Sequence, residues 1–124
     1  MRFIAIYRPD KNTAPTPENI AQMGAFIEEA TRAGVLLATE GFGPSTGDDA
    51  RLRLSNGTFS VTDGPFAETK EVIAGFAIMQ AAQKPEILEW CRRFLAIAGD
   101  GESEIRTLSE MSPIEALAAV RGCQ

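Results

Sequence analysis

Arg51-Leu-Arg-Leu-Ser-Asn-Gly-Thr-Phe-Ser-Val-Thr62 reads as a β-hairpin, and that reading decides how the rest of the chain is organised. Asn56-Gly57 suits a type I′ turn, which needs positive φ at both central positions. Counting outward pairs Ser55 with Thr58, Leu54 with Phe59, Arg53 with Ser60, Leu52 with Val61 and Arg51 with Thr62. All the apolar pairs fall on one face and both arginines on the other, so the register supports itself.

Upstream, Arg2 to Arg8 reads as a strand, with Phe3, Ala5 and Tyr7 on one face and Ile4 and Ile6 on the other. Thr16-Pro17-Glu18 is a helix start: an N-cap, a proline at the first helical position and an acid at the positive end of the dipole. Ile20, Met23, Ile27 and Ala30 follow at helical spacing, and Gly34 ends the helix. Val35 to Thr39 is a second strand, followed by Glu40 and a Gly/Pro-rich turn through Asp49. Downstream, Val72 to Ala81 is a strand with apolar side chains on both faces. Gly75 in its middle signals a bulge or a close backbone approach. Lys84-Pro85-Glu86 opens a helix with Ile87, Leu88, Cys91, Leu95 and Ala98 on its buried stripe, stopped by Gly99. Asp100-Gly-Glu-Ser-Glu104 has the composition of a calcium loop but not the EF-hand spacing, and reads as a solvated turn. Glu104 to Leu108 is the last strand, and Ser112-Pro113-Ile114-Glu115 the capped start of a C-terminal helix.

With the hairpin set aside as an insert, the order is strand, helix, strand, strand, helix, strand. That is the βαββαβ pattern of ferredoxin-like α+β folds, here a single domain with its core at about residues 1–110 and a helix and tail over 111–124. The first and third strands are expected to be central and parallel, with both helices on one face of the sheet. Both of those strands are apolar on both faces, so the helix-free face needs a cover. A second subunit laid sheet to sheet supplies one, giving a homodimeric α+β barrel. The alternative cover is the chain's own hairpin and C-terminal helix.

Composition bounds the function. Net charge is −5, which argues against a nucleic-acid backbone or an anionic membrane as partner. No stretch is long and apolar enough for a span, and none resembles a secretory signal, so a cytoplasmic location is expected. The chain has no His, and Cys91 and Cys123 stand alone. Cys/His zinc sites and Ser/His or Cys/His catalytic pairs are thereby excluded, and no metal or other cofactor is expected. Cys91 lies on an apolar helical stripe and reads as packing.

The loop after the hairpin is longer and more polar than a connection requires: Val61-Thr-Asp-Gly-Pro-Phe-Ala-Glu-Thr-Lys-Glu71. With Gly75-Phe76 beyond it, this stretch resembles the signature of the DGPF branch of the YCII-related proteins. Further matching pieces are the opening strand ending in Tyr7, Ala33-Gly34-Val35-Leu36, Glu40-Gly41 with Pro44 beyond, and Glu104-Ile105-Arg106. The resemblance covers about residues 1–110. It implies a dimeric α+β barrel in small bacterial proteins, often encoded beside extracytoplasmic-function sigma factors. Relatives outside that branch are proposed to use a His/Asp pair for acid–base chemistry, and without His that half does not carry over.

The fold sets the end of the second strand beside the start of the third. Glu40 is therefore expected near Glu68 and Lys70, with Asp63 entering from the hairpin. Clustered carboxylates oppose one another's ionisation while an ammonium favours it, so such a group suits proton transfer or ligand anchoring. A second reading stands beside each. Asp63 can brace its own loop by accepting the Phe66 or Ala67 N–H from a partly buried position. Glu68, Lys70 and Glu71 can form a solvated loop with weak ion pairs, Glu40 can pair with Lys70, and Tyr7 and Trp90 can be core or interface aromatics. A hard metal on Glu40, Asp63 and Glu68 has no spacing motif behind it. Two functions follow. One is a small-molecule binder or metal-independent acid–base enzyme of isomerase, lyase or hydrolase type, with its pocket in the dimeric barrel. The other is a non-catalytic regulatory partner linked to sigma-factor signalling.

Overall fold

A computed structural model of the chain describes residues 1–11, 14–67, 73–110 and 113–122. Along the chain run β1 (Arg2–Pro9), α1 (Pro17–Arg32), β2 (Leu36–Gly41), β3 (Ala50–Ser55), β4 (Thr58–Asp63), β5 (Gly75–Gln80), α2 (Lys84–Ala98), β6 (Gly101–Thr107) and α3 (Pro113–Gly122). Val72, Ser112 and Cys123 lie outside the described residues.

The local signals act as their chemistry dictates. At the head of α1 the Thr16 hydroxyl oxygen accepts the Asn19 N–H at 3.1 Å, and Pro17 takes the first helical position. Gly34, with φ of 76°, turns the chain out of the helix. In the hairpin Asn56 and Gly57 have φ of 51° and 78°, and the strands pair in the register counted from the turn. Hairpin strands β3 and β4 form a two-stranded sheet of their own.

The main sheet has the order β2-β5-β1-β6, the ferredoxin-like arrangement, and every neighbouring pair is antiparallel. The central strands β1 and β5 are therefore antiparallel, not parallel as expected. The crossover through α1 returns the chain so that β2 runs the same way as β1. The chain then reverses before β5, which inserts between them pointing the other way. Gly75 is a close approach rather than a bulge: a Cβ there would sit 2.7 Å from the Glu40 carbonyl oxygen and 3.3 Å from Gly41 Cα. The irregularity lies opposite, in β2 between Leu36 and Ala38. Strand β6 begins at Gly101, so most of the acidic run read as a solvated turn is strand. Edge position explains this: Glu102 and Glu104 keep their charges at the sheet's rim, and Arg8 pairs with Glu104 at 3.1 Å.

Helices α1 and α2 cover one face. Phe3, Ala5, Leu36 and Met79 from the sheet meet Ala30, Ile87 and Cys91 from the helices. Ile87 is fully buried, a burial worth about 1.5–3 kcal/mol. The buried line of α1 passes through Phe26 and Ala30, while Ile20 faces water at 60% exposure. The opposite face carries Ile4, Ile6, Phe76 and Ile78 in register, all half-buried. Neither the hairpin nor α3 buries its apolar side chains there: Leu52, Leu54, Phe59, Val61, Ile114, Leu117 and Val120 are all exposed. Among the described residues no helix is long and apolar enough to cross a membrane.

Candidate functional site

The described part of the loop motif is packed by an unexpected pair, Ser45 and Asp49. The Asp49 carboxylate accepts the Ser45 hydroxyl at 2.8 Å and the Thr46 N–H at 3.0 Å. The Thr46 N–H and then the Ser45 hydroxyl hold its carboxyl below the usual Asp range. The Ser45 oxygen in turn accepts the Phe66 N–H at 2.8 Å, and the Asp49 carbonyl accepts the Gly64 N–H at 2.7 Å. Bracing of this loop was expected from a partly buried Asp63. Asp63 is instead exposed at the end of β4, paired in register with Ala50, and no hydrogen bond to its carboxylate is found among the described residues. Parity does put it on the side of Val61, but that face of the hairpin is uncovered, so the carboxylate meets water. Gly64 lies against the clasp so closely that a Cβ would overlap the Thr46 carbonyl oxygen. Arg51 stacks on Phe66 with its guanidinium 3.9 Å from the ring centre.

A cavity of about 330 Å³ opens between the helices and the sheet. Small side chains make it. Ala5 and Ala77 on the sheet and Ala30 on α1 leave room that the aromatic groups Tyr7, Phe26, Trp90 and Phe94 wall but do not fill. Tyr7 meets Phe94 edge-on with centroids 5.0 Å apart, and Phe26 lies 5.9 Å from Trp90. Arg93 spans the two helices. Its guanidinium sits 4.8 Å from the Trp90 ring and 5.3 Å from Phe26, and it is ion-paired with Glu29 of α1. That hydrogen-bonded pairing holds the Glu29 carboxyl below the usual range.

The cavity is bordered at one end of the sheet by Thr39, Glu40, Gly41, Ala74, Gly75 and Ser103. Glu40 is the one residue of charged type among the described lining residues, and its side chain leaves β2 on the face away from the helices. It is exposed, and the register sets it opposite Phe76, in the row that continues to Ile6 and Glu104. Thr39 is opposite Ala77 and donates its hydroxyl to the Phe76 carbonyl at 3.0 Å. Tyr7 donates its hydroxyl to the Gly99 carbonyl at 3.3 Å, and burial, then Asp10 and Asp100, push its pKa up. Burial likewise raises Cys91, so it lines the cavity as a thiol. Asp63 does not border the cavity. Glu68, Lys70 and Glu71 lie outside the described residues. Among the described residues no three Cys, Asp or Glu side chains converge to hold a metal ion. The aromatic wall was legible only as helix-face packing. Trp90, Cys91 and Phe94 share one side of α2 and Phe26 faces them from α1, but nothing in that spacing says whether the space between is filled.

The YCII-related domain matches residues 1–112 of the chain. The chain belongs to the YCII-related family. An uncharacterised protein of Rhizobium meliloti (strain 1021) is 42% identical over 67 residues, 53% of this chain and 54% of that protein. The chain thus matches about half the length of this YCII-related chain's curated relative. Among solved structures, 5-chloro-2-hydroxyhydroquinone dehydrochlorinase (TftG) from Burkholderia phenoliruptrix AC1100, in complex with 2,5-dihydroxybenzoquinone, is similar with a TM-score of 0.45 and 14% identity. The similarity covers 88% of this chain and 94% of that one.

Proposed function

We propose that this YCII-related protein binds a small, largely apolar, ring-bearing molecule in the cavity between its helices and sheet. The observation that carries the reading is the cavity itself: about 330 Å³, walled by four aromatic rings, with Thr39 and Ser103 among the residues at its border. That volume lies in the range of small-molecule sites, and a few polar groups at the border of an apolar pocket are their usual construction. This moves the pocket from the space between two sheets, where the sequence had suggested it, to the helix side of a single sheet. The chemistry proposed is proton transfer. Glu40, whose side chain leaves β2 on the helix-free face at the strand end bordering the cavity, is the candidate base for a group that reaches past that end, and Lys70, four residues before Ala74 in the sequence, is the candidate stabiliser of negative charge developing on the substrate. Glu68 and Asp63 are proposed as auxiliary carboxylates.

We also propose that the protein works as a homodimer. The reading is carried by the apolar, half-buried face of Ile4, Ile6, Phe76 and Ile78, which none of the described helices covers.

Trp90 is the single tryptophan of the chain and lines the cavity, so it reports occupancy directly. Titration with p-cresol and with toluene is expected to change its fluorescence saturably, and Ala77→Phe, which fills the cavity, to abolish the change. Glu40→Gln and Lys70→Met should retain the dimer, and Glu40→Gln should retain toluene binding. No saturable response to either probe in folded wild-type protein would sink the cavity reading.

A further inference from the structure

The strand register sorts the floor of the cavity into rows. On the helix side of the sheet Thr39 stands level with Ala77 and Ala5, and the next row outward is Gly41, Gly75, Tyr7 and Ser103. Alanines and glycines leave the floor open, so its polar groups are the hydroxyls of Thr39, Tyr7 and Ser103. Thr39 is on edge strand β2 and is exposed. Tyr7 and Ser103 are partners in register on β1 and β6 and are both half-buried. A hydrogen bond counts for more where water is kept out, so the Tyr7–Ser103 pair is the stronger polar feature.

The direction of these hydroxyls matters. A backbone carbonyl only accepts, so Tyr7 spends its proton on the Gly99 carbonyl and Thr39 spends its own on the Phe76 carbonyl. Each then has only lone pairs to offer. The Tyr7 ring is fixed in place: it meets Phe94 edge-on, and it lies so close to Gly101 that a Cβ there would come within 2.8 Å of Tyr7 Cε1. Ser103 can turn its hydroxyl either way. A ligand group that donates therefore finds acceptors waiting, whereas a group that only accepts must displace a bond to a backbone carbonyl.

Charge points the same way. No Lys or Arg is among the described residues that line the space. Arg93 lies against Trp90 and Phe26 but is ion-paired with Glu29, and Arg8 is ion-paired with Glu104. Asp10 and Asp100 both act on the Tyr7 hydroxyl as negative charges. An anionic ring entering here would lose its water and gain no cation from the described lining. We infer that the cavity selects a neutral ring bearing a hydrogen-bond donor, an O–H or N–H group that is laid on the Tyr7 and Ser103 oxygens, and refuses anions of the same shape. This deepens the binding function proposed above and rests on the cavity being a ligand site.

Two measurements on the full chain test it, both read by Trp90 fluorescence at pH 7. The first needs no variant. p-Toluamide and p-toluate have nearly one shape, but the amide is neutral and donates while the carboxylate is charged and only accepts. p-Toluamide should bind at least about tenfold more tightly. The second compares p-cresol with toluene in Tyr7→Phe, in Ser103→Ala and in the double variant. Losing one hydrogen bond of about 0.5–1.5 kcal/mol weakens p-cresol by about two- to tenfold. The double variant should lose more than either single one, toluene should bind all three as it binds wild type, and Thr39→Val should change p-cresol less than Tyr7→Phe does. p-Toluate binding as tightly as p-toluamide overturns the inference. So does p-cresol weakening no more than toluene in the double variant, or toluene binding to wild type without any binding of p-cresol. In those cases toluene binding leaves the cavity reading standing. No saturable response to any of the four probes removes the cavity reading and this inference together.

Discussion

Gly64→Ala is the sharpest test of what the loop motif is for. Gly64 has no positive φ, so alanine meets no backbone penalty, and in open space the change would stabilise by about 0.4–1 kcal/mol through the unfolded chain. The space is not open. The added methyl would overlap the Thr46 carbonyl oxygen and come within 3.1 Å of Asp49 Cβ and 3.2 Å of the Asp49 carbonyl oxygen. Two of the three atoms are backbone, which cannot swing aside as a side chain can. The 44–49 segment must retreat by roughly an ångström to restore ordinary contact distances. Overpacking of this kind costs about 1–3 kcal/mol. Retreat also stretches the 2.7 Å Gly64 N–H to Asp49 carbonyl bond, worth about 0.5–1.5 kcal/mol. The clashes win, for a net loss of about 2 kcal/mol. For a chain of 124 residues that is a fall of about 8 °C in Tm. Urea unfolding followed by circular dichroism measures it. Gly24→Ala is the control: it lies in α1 with nothing within 4 Å and should gain about 0.5–1 kcal/mol. If Gly64→Ala is as stable as wild type, the clasp with Ser45 and Asp49 does not hold this loop and the packing argument is wrong.

Ile87→Ala should cost about 2–5 kcal/mol in urea unfolding, because the side chain is fully enclosed between α2 and the sheet. Alkaline pH should destabilise the fold. Tyr7 and Cys91 both have folded pKa values raised above the unfolded ones, so their contribution is intact below the unfolded values, about 8.5 for the thiol and 10 for the phenol. It is lost as pH rises through the folded values, and Cys91→Ala should remove the lower part of that slope. In the native protein Cys91 should also alkylate with iodoacetamide far more slowly than in urea. Acid acts on the clasp in the opposite sense: the Asp49 carboxyl is held low, so its support is present above the ordinary Asp value and lost as pH falls through the folded one. Amide exchange at Gly64 and Phe66 should accelerate in that acid window, and Asp49→Asn should show the acceleration already at neutral pH.

Local chemistry was legible because it depends on neighbours in sequence. Asn56-Gly57 with alternating apolar residues specified the hairpin and its register, and Thr16-Pro17 specified the start of α1. The βαββαβ order followed, since short connections leave few ways to assemble such a string of elements. What depends on distant atoms was not legible. Ser45 and Asp49 looked like ordinary turn residues until the fold brought Phe66 and Gly64 to them, twenty-one and fifteen positions away in sequence. Asp63 shares the parity of Val61, yet parity says only which way a side chain points, and burial needs something packed on that face. The cavity is the clearest case. Alanines on the sheet and aromatics on the helices obey the same apolar pattern that a filled core obeys. Only the separation of α1 and α2 from the sheet, set by the largest rings among them, decides whether about 330 Å³ between them is occupied or open.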